Sequence, residues 1–169
     1  RAFRRQSPWC CQLRRGGLIR TATLSLRARA LAHLARREHS RVELARKLAP
    51  HASDEQEVAD GLDALEQAGH LSSQRLVESL VRRRSAKYGL RRVEQELAEH
   101  KIASELKQPM LDALKASESE RAWLAWERRF GTPPTDLTER ARQQRFLVAR
   151  GFTGETVSAV FKRLRSSGD

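Results

Sequence analysis

A short turn followed by an amphipathic helical segment occurs three times in this chain. The turns are Glu38-His39-Ser40, Lys87-Tyr88-Gly89 and Gly151-Phe152-Thr153, and each follows a basic stretch. Apolar residues lie four and eight positions after the turns: Leu44 and Leu48, Val93 and Leu97, and Val157 and Phe161. A spacing of four places both residues of a pair on one helix face. The recurrence predicts a modular helical protein, in which each unit packs against its own helices and its neighbours.

The sequence predicts an all-α fold, an elongated array of three tandem three-helix repeats. No long stretch alternates apolar and polar residues, and β-branched residues are sparse, which argues against strands. Nine helices are expected in three groups. The predicted boundaries place repeat 1 at 26–70, repeat 2 at 71–115 and repeat 3 at 116–169.

Three helix starts are marked by a serine that is followed by Glu or Gln three positions later. These predicted capping boxes begin at Ser40, Ser53 and Ser117. In a capping box the serine oxygen accepts from the third amide, and the longer side chain reaches back to the serine amide. Pro109 interrupts the predicted helix 104–115, so we expect that helix to be kinked or to start near Gln108.

The charge balance predicts an acidic partner. The chain has 33 Lys and Arg against 21 Asp and Glu, a formal charge of +12 and a pI near 11.0. The charge is unevenly placed, because residues 54–70 carry six acids and no Lys or Arg, whereas 71–102 carry eight basic and four acidic residues. This pattern favours a polyanion or an acidic protein surface as partner. The alternative is a well-solvated helical protein that is simply rich in Arg.

The first 25 residues form a separate basic segment with six Arg and no acid. We expect a disordered tail or a stretch added by a misplaced gene start, with an organelle transit segment as a further alternative. The two cysteines, Cys10 and Cys11, are adjacent and therefore poorly placed to bridge. A reduced, cytoplasmic location fits this usage. No stretch of 18 apolar residues occurs, so no membrane span is expected.

The sequence carries no pattern typical of catalysis. It has no glycine-rich phosphate loop, and its five His residues are scattered without metal-ligand spacing. Trp123, Trp126 and Phe130 follow helical spacing, which favours core packing over a base-stacking platform. We therefore predict a protein that is not an enzyme and that needs no cofactor, metal or small-molecule substrate.

The candidate binding residues are the basic side chains beside the first two turns. Arginine suits bidentate contacts with phosphate or carboxylate groups. Alternatively, these side chains satisfy the last carbonyl groups of their own helices. The candidate set is Arg36, Arg37, Arg82, Arg83, Arg84, Lys87, Arg91 and Arg92.

Three motifs together resemble the RecX family of recombination regulators. Ala35–Ser40 with Glu43-Leu44 and Lys47-Leu48 resembles the opening motif of that family. Tyr88–Val93 with Glu96-Leu97 and Lys101-Ile102 resembles the central motif, and Arg145–Leu147 followed by Arg150–Phe152 and Val157 the C-terminal one. They occur in the family's order and spacing over about residues 26–165. The segment His70–Leu76 departs from the family, with only Arg75 matching clearly.

The resemblance implies a cytoplasmic modulator of RecA, built from tandem three-helix repeats. Such a protein binds in the groove of the RecA–single-stranded DNA filament. There it restrains the ATPase activity of RecA, strand exchange and the stimulation of repressor self-cleavage in the SOS response. We expect it to act as a monomer, with direct contact to DNA left open.

Two other functions fit parts of the sequence. Residues 31–48 read as two helices joined by a tight turn, which is typical of a sequence-specific helix-turn-helix DNA-binding protein. Against this, the same turn recurs three times, and no unit has an obvious recognition helix. A helical-repeat adaptor for another acidic protein is the third alternative.

Overall fold

Nine α-helices make up the fold of the part of the chain that the computed structural model describes, residues 24–166, and no strand occurs in it. A short 3₁₀ turn, Ala49–His51, follows the second helix. The helices are α1 Leu26–Leu34, α2 Arg41–Leu48, α3 Glu55–Gln67, α4 Ser73–Ser85, α5 Leu90–Glu99, α6 Ser104–Ala116, α7 Glu118–Arg129, α8 Leu137–Ala149 and α9 Gly154–Ser166. The all-α prediction is confirmed, and the basic segment 1–25 lies almost wholly outside the described residues.

The core consists of three separate apolar clusters. One lies among α1, α2 and α3, one among α4, α5 and α6, and one among α7, α8 and α9. We call these groups of helices the first, second and third units. The three pairs predicted from the turn spacing are all buried, at 5% exposure or less: Leu44, Leu48, Val93, Leu97, Val157 and Phe161. The predicted repeat boundaries at 70 and 115 stay a prediction.

Of the three predicted capping boxes, one has the predicted cap residue, one is shifted and one is absent. Ser40 caps α2, because its Oγ accepts from the Glu43 amide at 3.1 Å. The expected box there is incomplete, since the Glu43 carboxylate contacts Arg37 instead. The predicted box at Ser53 is shifted by one residue: Asp54 is the cap, and its carboxylate accepts from the Glu57 amide at 2.8 Å.

The capping box predicted at Ser117 is wrong. The Ser117 hydroxyl donates backwards to the carbonyl oxygens of Ala113 and Leu114, each at 3.2 Å. Only this residue separates α6 from α7, and its φ of −94° and ψ of 3° are not the extended values of a cap. The pattern therefore marks a helix–helix joint, and the neighbouring Glu118 is buried.

The helix α6 begins at Ser104 and continues past Pro109, so a start near Gln108 is wrong. The proline removes the amide that would bond to the Glu105 carbonyl. Both residues are exposed, which allows water to satisfy that carbonyl.

Candidate functional site

The candidate residues lie at three helix ends. Arg36 and Arg37 follow α1, Arg82, Arg83 and Arg84 form the last turn of α4, and Lys87 lies in the turn after it. Arg91 and Arg92 occupy the first turn of α5. The structure thus places six of the eight around one turn of the second unit, with the other two in the first unit.

Two of the candidate arginines are committed to carboxylates of their own chain. Arg37 holds Glu43 through both of its terminal nitrogens. Arg84 holds Glu96, with its Nε and Nη2 each 2.8 Å from a carboxylate oxygen. Bonding to Glu96 raises the pKa of Arg84. These two arginines join turns to the helices that follow, as charge-assisted bidentate pairs do.

Five other candidates are exposed and have no side-chain hydrogen bond or ion pair within residues 24–166: Arg36, Arg82, Lys87, Arg91 and Arg92. The remaining one, Arg83, donates to the Ser79 carbonyl of its own helix at 3.3 Å. Ser79 lies in the interior of α4, so this bond does not satisfy one of the last carbonyl groups of the helix, as the alternative interpretation requires. The five unpaired cations are available to an external partner.

A cleft of about 480 Å³ separates the first unit from the second. It brings Arg37, Arg83 and Arg84 together across the two units. Carboxylates line it as well, from Glu43, Glu96 and Glu99, so its charge is largely balanced. Few contacts cross this junction, among them an ion pair between Arg75 Nε and Glu38 Oε1 at 2.8 Å and a contact between His100 Nδ1 and Ser40 Oγ at 3.1 Å.

The junction between the second and third units is built differently, because two of the recurrent turns lie directly against each other. The Gly89 amide donates to the Arg150 carbonyl at 2.9 Å, and the Arg91 amide donates to the Gly151 carbonyl at 3.1 Å. Gly151 has a φ of +80°, which favours glycine. Gly89 has an ordinary φ of −79°, so its glycine is required by space and not by conformation.

Two charged side chains of α7 complete this junction. The Glu118 carboxylate, 2% exposed, accepts from the Leu90 amide at 2.7 Å and from the hydroxyls of Thr153 and Thr156 at 2.8 Å each. Arg121 donates to the carbonyls of Ser85, Tyr88 and Leu114 at 2.8 to 3.0 Å. Burial lowers the pKa of Arg121, against the opposing charge of Glu118. The second and third units are therefore fixed relative to each other.

Sequence reasoning missed a set of cations at this junction. Arg128, Arg129 and Arg150 lie beside Lys87 in a second cleft, of about 380 Å³. Arg128 and Arg129 end α7 just before Gly131, in the same basic-end pattern that identified the other candidates. The basic helix end could therefore have identified Arg128 and Arg129 from sequence. Their position beside Lys87 depends on long-range packing and could not.

The aromatic residues of α7 pack in the core, as predicted. Trp126 is 2% exposed, and its Nε1 donates to Gln143 Oε1 at 2.7 Å. Trp123 and Phe130 are partly buried against the same cluster. Within residues 24–166, no group of His, Cys, Asp or Glu could hold a metal ion, and no helix is both long and apolar enough to cross a membrane.

The buried His39 is expected to make stability depend on pH. Burial lowers its pKa. The Glu43 carboxylate, whose Oε2 lies 3.0 Å from Nδ1 without hydrogen-bond geometry, opposes this shift through its charge but does not reverse it, and the charges of Arg37 and Lys47 lower the pKa further. An unfolded histidine takes up a proton near pH 6.5, and a folded one with a lowered pKa does so only at lower pH. The stability is therefore present above pH 6.5 and is lost as the pH falls through the folded pKa.

Urea unfolding between pH 7 and about 5.5 checks this expectation. The free energy of unfolding should fall with pH in the unchanged protein and fall less in His39→Gln. An equal fall in both proteins would contradict it. Burial raises the pKa of Glu43, but the bonds from Arg37 and the charges of Arg37 and His39 lower it overall, so Glu43 loses its contribution only below its unfolded value of 4.5, outside this range.

Comparisons with known proteins agree with this architecture. Residues 117–161 match the family model of the third three-helix domain of RecX. The chain is 52% identical over 139 residues to the regulatory protein RecX of Ralstonia nicotianae, covering 82% of this chain and 87% of that protein. It is 50% identical to the regulatory protein RecX of Leptothrix cholodnii, covering 82% and 88%.

Solved structures show the same fold. The crystal structure of RecX from Lactobacillus salivarius aligns with a TM-score of 0.67 at 17% identity, covering 83% of this chain and 95% of that one. A crystal structure of a regulatory protein RecX aligns with a TM-score of 0.61 at 20% identity, covering 80% and 72%. With this fold and with identities of 50% and 52% along most of its length, the chain belongs to the RecX family of regulatory proteins.

Proposed function

We propose that this chain is a regulator that binds the RecA–single-stranded DNA filament and inhibits its activities. The inhibited activities are the ATPase, strand exchange and the stimulation of repressor self-cleavage in the SOS response. The chain acts in the cytoplasm as a monomer, without catalysing a reaction and without a cofactor. Its membership of the RecX family supports this function.

The observation that carries the proposal is the set of five exposed cations at helix ends of the first and second units. Arg82 and Lys87 flank the end of α4, Arg91 and Arg92 open α5, and Arg36 lies after α1. None of them has a partner within residues 24–166. Exposed, unpaired cations spaced along a modular chain suit a partner whose acidic surface is itself repeated, as a filament's is.

The pairing pattern divides the candidate set by role. Arg37 and Arg84 hold carboxylates of their own chain, so they position the turns that carry the exposed cations. Arg83 is partly used by its own helix. The contacts with the filament are therefore assigned to Arg36, Arg82, Lys87, Arg91 and Arg92.

Co-sedimentation tests the binding step. The chain is mixed with preassembled RecA filaments on single-stranded DNA, with RecA alone, and with the DNA alone, at moderate salt. We expect the chain to pellet with the filament and to remain in solution with free RecA. Equal recovery with the filament and with an amount of DNA that carries no RecA would contradict filament recognition.

Removing the exposed charges should weaken inhibition. The variant Arg36→Ala, Arg82→Ala, Arg91→Ala and Arg92→Ala is expected to need about tenfold more protein for half-inhibition of the RecA ATPase. Four exposed charge contacts at roughly 0.4 kcal/mol each would together weaken binding by about 1.5 kcal/mol. Circular dichroism should show unchanged helical content.

A matched control variant has the same net charge as this quadruple variant. It carries four alanines at exposed cations remote from the turns: Arg27, Lys115, Lys162 and Arg165. Inhibition by the control should stay close to that of the unchanged chain. If both variants lose inhibition equally, total charge and not this set of residues governs binding.

A further inference from the structure

The cleft between the second and third units holds an unbalanced concentration of positive charge. Lys87, Arg128, Arg129 and Arg150 line it together with the rings of Tyr88 and Phe146. No carboxylate lines it. Four cations in about 380 Å³ repel one another, and the fold provides nothing at this place to offset the repulsion.

The other interdomain cleft, between the first and second units, differs in this respect. There, Arg37 and Arg84 are bonded to Glu43 and Glu96, and Glu99 also lines the wall. Three carboxylates thus offset most of the charge of its four arginines, which include Arg46, whereas the cleft at the second junction has no carboxylate to offset its four cations.

Two of the four cations of this cleft, Arg128 and Arg150, are held in place by groups that do not neutralise them. Arg128 donates to the carbonyls of Leu124 and Ala86, at 3.1 and 3.4 Å. The Arg150 guanidinium lies 3.7 Å from the centre of the Phe146 ring. Lys87 is exposed and without a partner within residues 24–166. Carbonyls and rings fix the side chains while leaving the charge and most donors available.

The walls of the cleft are rigid. Lys87 and Tyr88 precede Gly89, whose amide bonds to the Arg150 carbonyl at 2.9 Å. Arg121, from the third unit, donates to the Tyr88 carbonyl of the second unit at 2.8 Å and so links the two sides of the cleft. A site whose charged groups are already in position loses little entropy when a ligand binds.

We propose that this cleft binds single-stranded nucleic acid directly. Its cations contact the phosphates, and an unpaired base packs against the ring of Tyr88. Grooves that combine cations with aromatic faces are the usual means of binding single strands. In a duplex the bases are stacked inside the helix, so only a single strand can place a base in a cleft of about 380 Å³.

This inference does not rest on recognition of RecA, so its test uses the full chain and oligo(dT) without RecA. Tyr88 is the only tyrosine of the chain. Protein labelled in the tyrosine ring therefore gives one set of ring signals in an NMR spectrum, and a stacked base should shift them upfield. Ring signals that stay in place at saturating oligo(dT) would overturn the proposal.

Fluorescence anisotropy with labelled oligo(dT) measures the contribution of the cations. In the variant Lys87→Gln, Arg129→Gln and Arg150→Gln, we expect binding to weaken at least tenfold. The slope of log K against log salt should fall by about two, since each phosphate contact on a single strand contributes about 0.7. The control Arg27→Gln, Lys115→Gln and Lys162→Gln removes the same charge at exposed positions and should weaken binding less than about threefold.

Three results would overturn the proposal. One is equal weakening by the two triple variants, which would mean that net charge alone governs binding. Another is tighter binding of a duplex of the same length than of oligo(dT). The third is a shift of the Tyr88 signals by poly-glutamate at an equal concentration of charge, which would assign the cleft to an acidic protein segment.

Discussion

Gly89→Ala is expected to lower the free energy of unfolding by roughly 3 kcal/mol or more, among the largest effects of any single substitution in this chain. A Cβ at this position would lie 2.3 Å from the Phe152 amide nitrogen and 2.4 Å from the Gly151 carbonyl oxygen. Both are backbone atoms, so no rotamer change can relieve the clash. The two turns would have to separate, with loss of the bonds from the amides of Gly89 and Arg91.

Urea unfolding followed by circular dichroism measures this effect. Gly61→Ala is the matched control, because a Cβ there meets only Leu26 Cδ2 at 3.8 Å, in the middle of α3. Alanine is the better residue in a helix interior, so the control should gain about 0.5–1 kcal/mol. A loss of less than 1 kcal/mol in Gly89→Ala would contradict the close docking of the two turns.

Glu118→Ala is expected to cost about 3–5 kcal/mol, because two buried donors and one half-buried donor lose their carboxylate acceptor at once. These donors are the Leu90 amide and the hydroxyls of Thr153 and Thr156. The substitution also removes the negative charge nearest the half-buried Arg121. Leu90 belongs to the second unit and the two threonines to the third. Losing their bonds to Glu118 should therefore also weaken the junction between the second and third units.

Two further substitutions separate the hydrogen bonds from other effects. Glu118→Gln keeps the shape and one acceptor, since threonine hydroxyls can accept as well as donate, so its cost should be smaller, about 1–2 kcal/mol. Glu120→Ala removes an exposed acid two residues away, which pairs with Arg163 at 3.1 Å at the surface, and should cost less than about 1 kcal/mol. Equal losses at positions 118 and 120 would refute the role of the buried network.

The helices and their buried faces could be predicted from sequence because their signals are local. The spacing after each turn identified Leu44, Val93 and Phe161 as core residues, and each is buried. A cap such as Ser40 depends on a few neighbouring residues. Fold class follows from such signals without any knowledge of how the units meet.

The junction could not be predicted, because it depends on contacts between distant parts of the chain. The sequence marks Gly89 and Gly151 as turns, but not that they lie against each other. The pattern after Ser117 reads locally as a capping box, whereas the burial of Glu118 arises only when the third unit meets the second.

The candidate site shows the same limit. Basic helix ends identified Arg36, Arg82 and Arg91, which are exposed and unpaired within residues 24–166. The same signal does not separate them from Arg37 and Arg84, whose carboxylate partners lie beyond a turn. Composition predicts that a chain of this charge binds a polyanion. The positions of acidic neighbours in the fold determine which cations are unpaired and therefore available for that binding.

The most direct test of the proposed function is the single-stranded-DNA-dependent ATPase of RecA, titrated with this protein at moderate salt. Filament regulation predicts inhibition at well below one molecule per RecA, with no effect of an Arg-rich peptide of equal charge. Undiminished ATPase activity at a molar excess of the protein, together with sequence-preferring duplex binding, would contradict it and favour a helix-turn-helix DNA-binding protein.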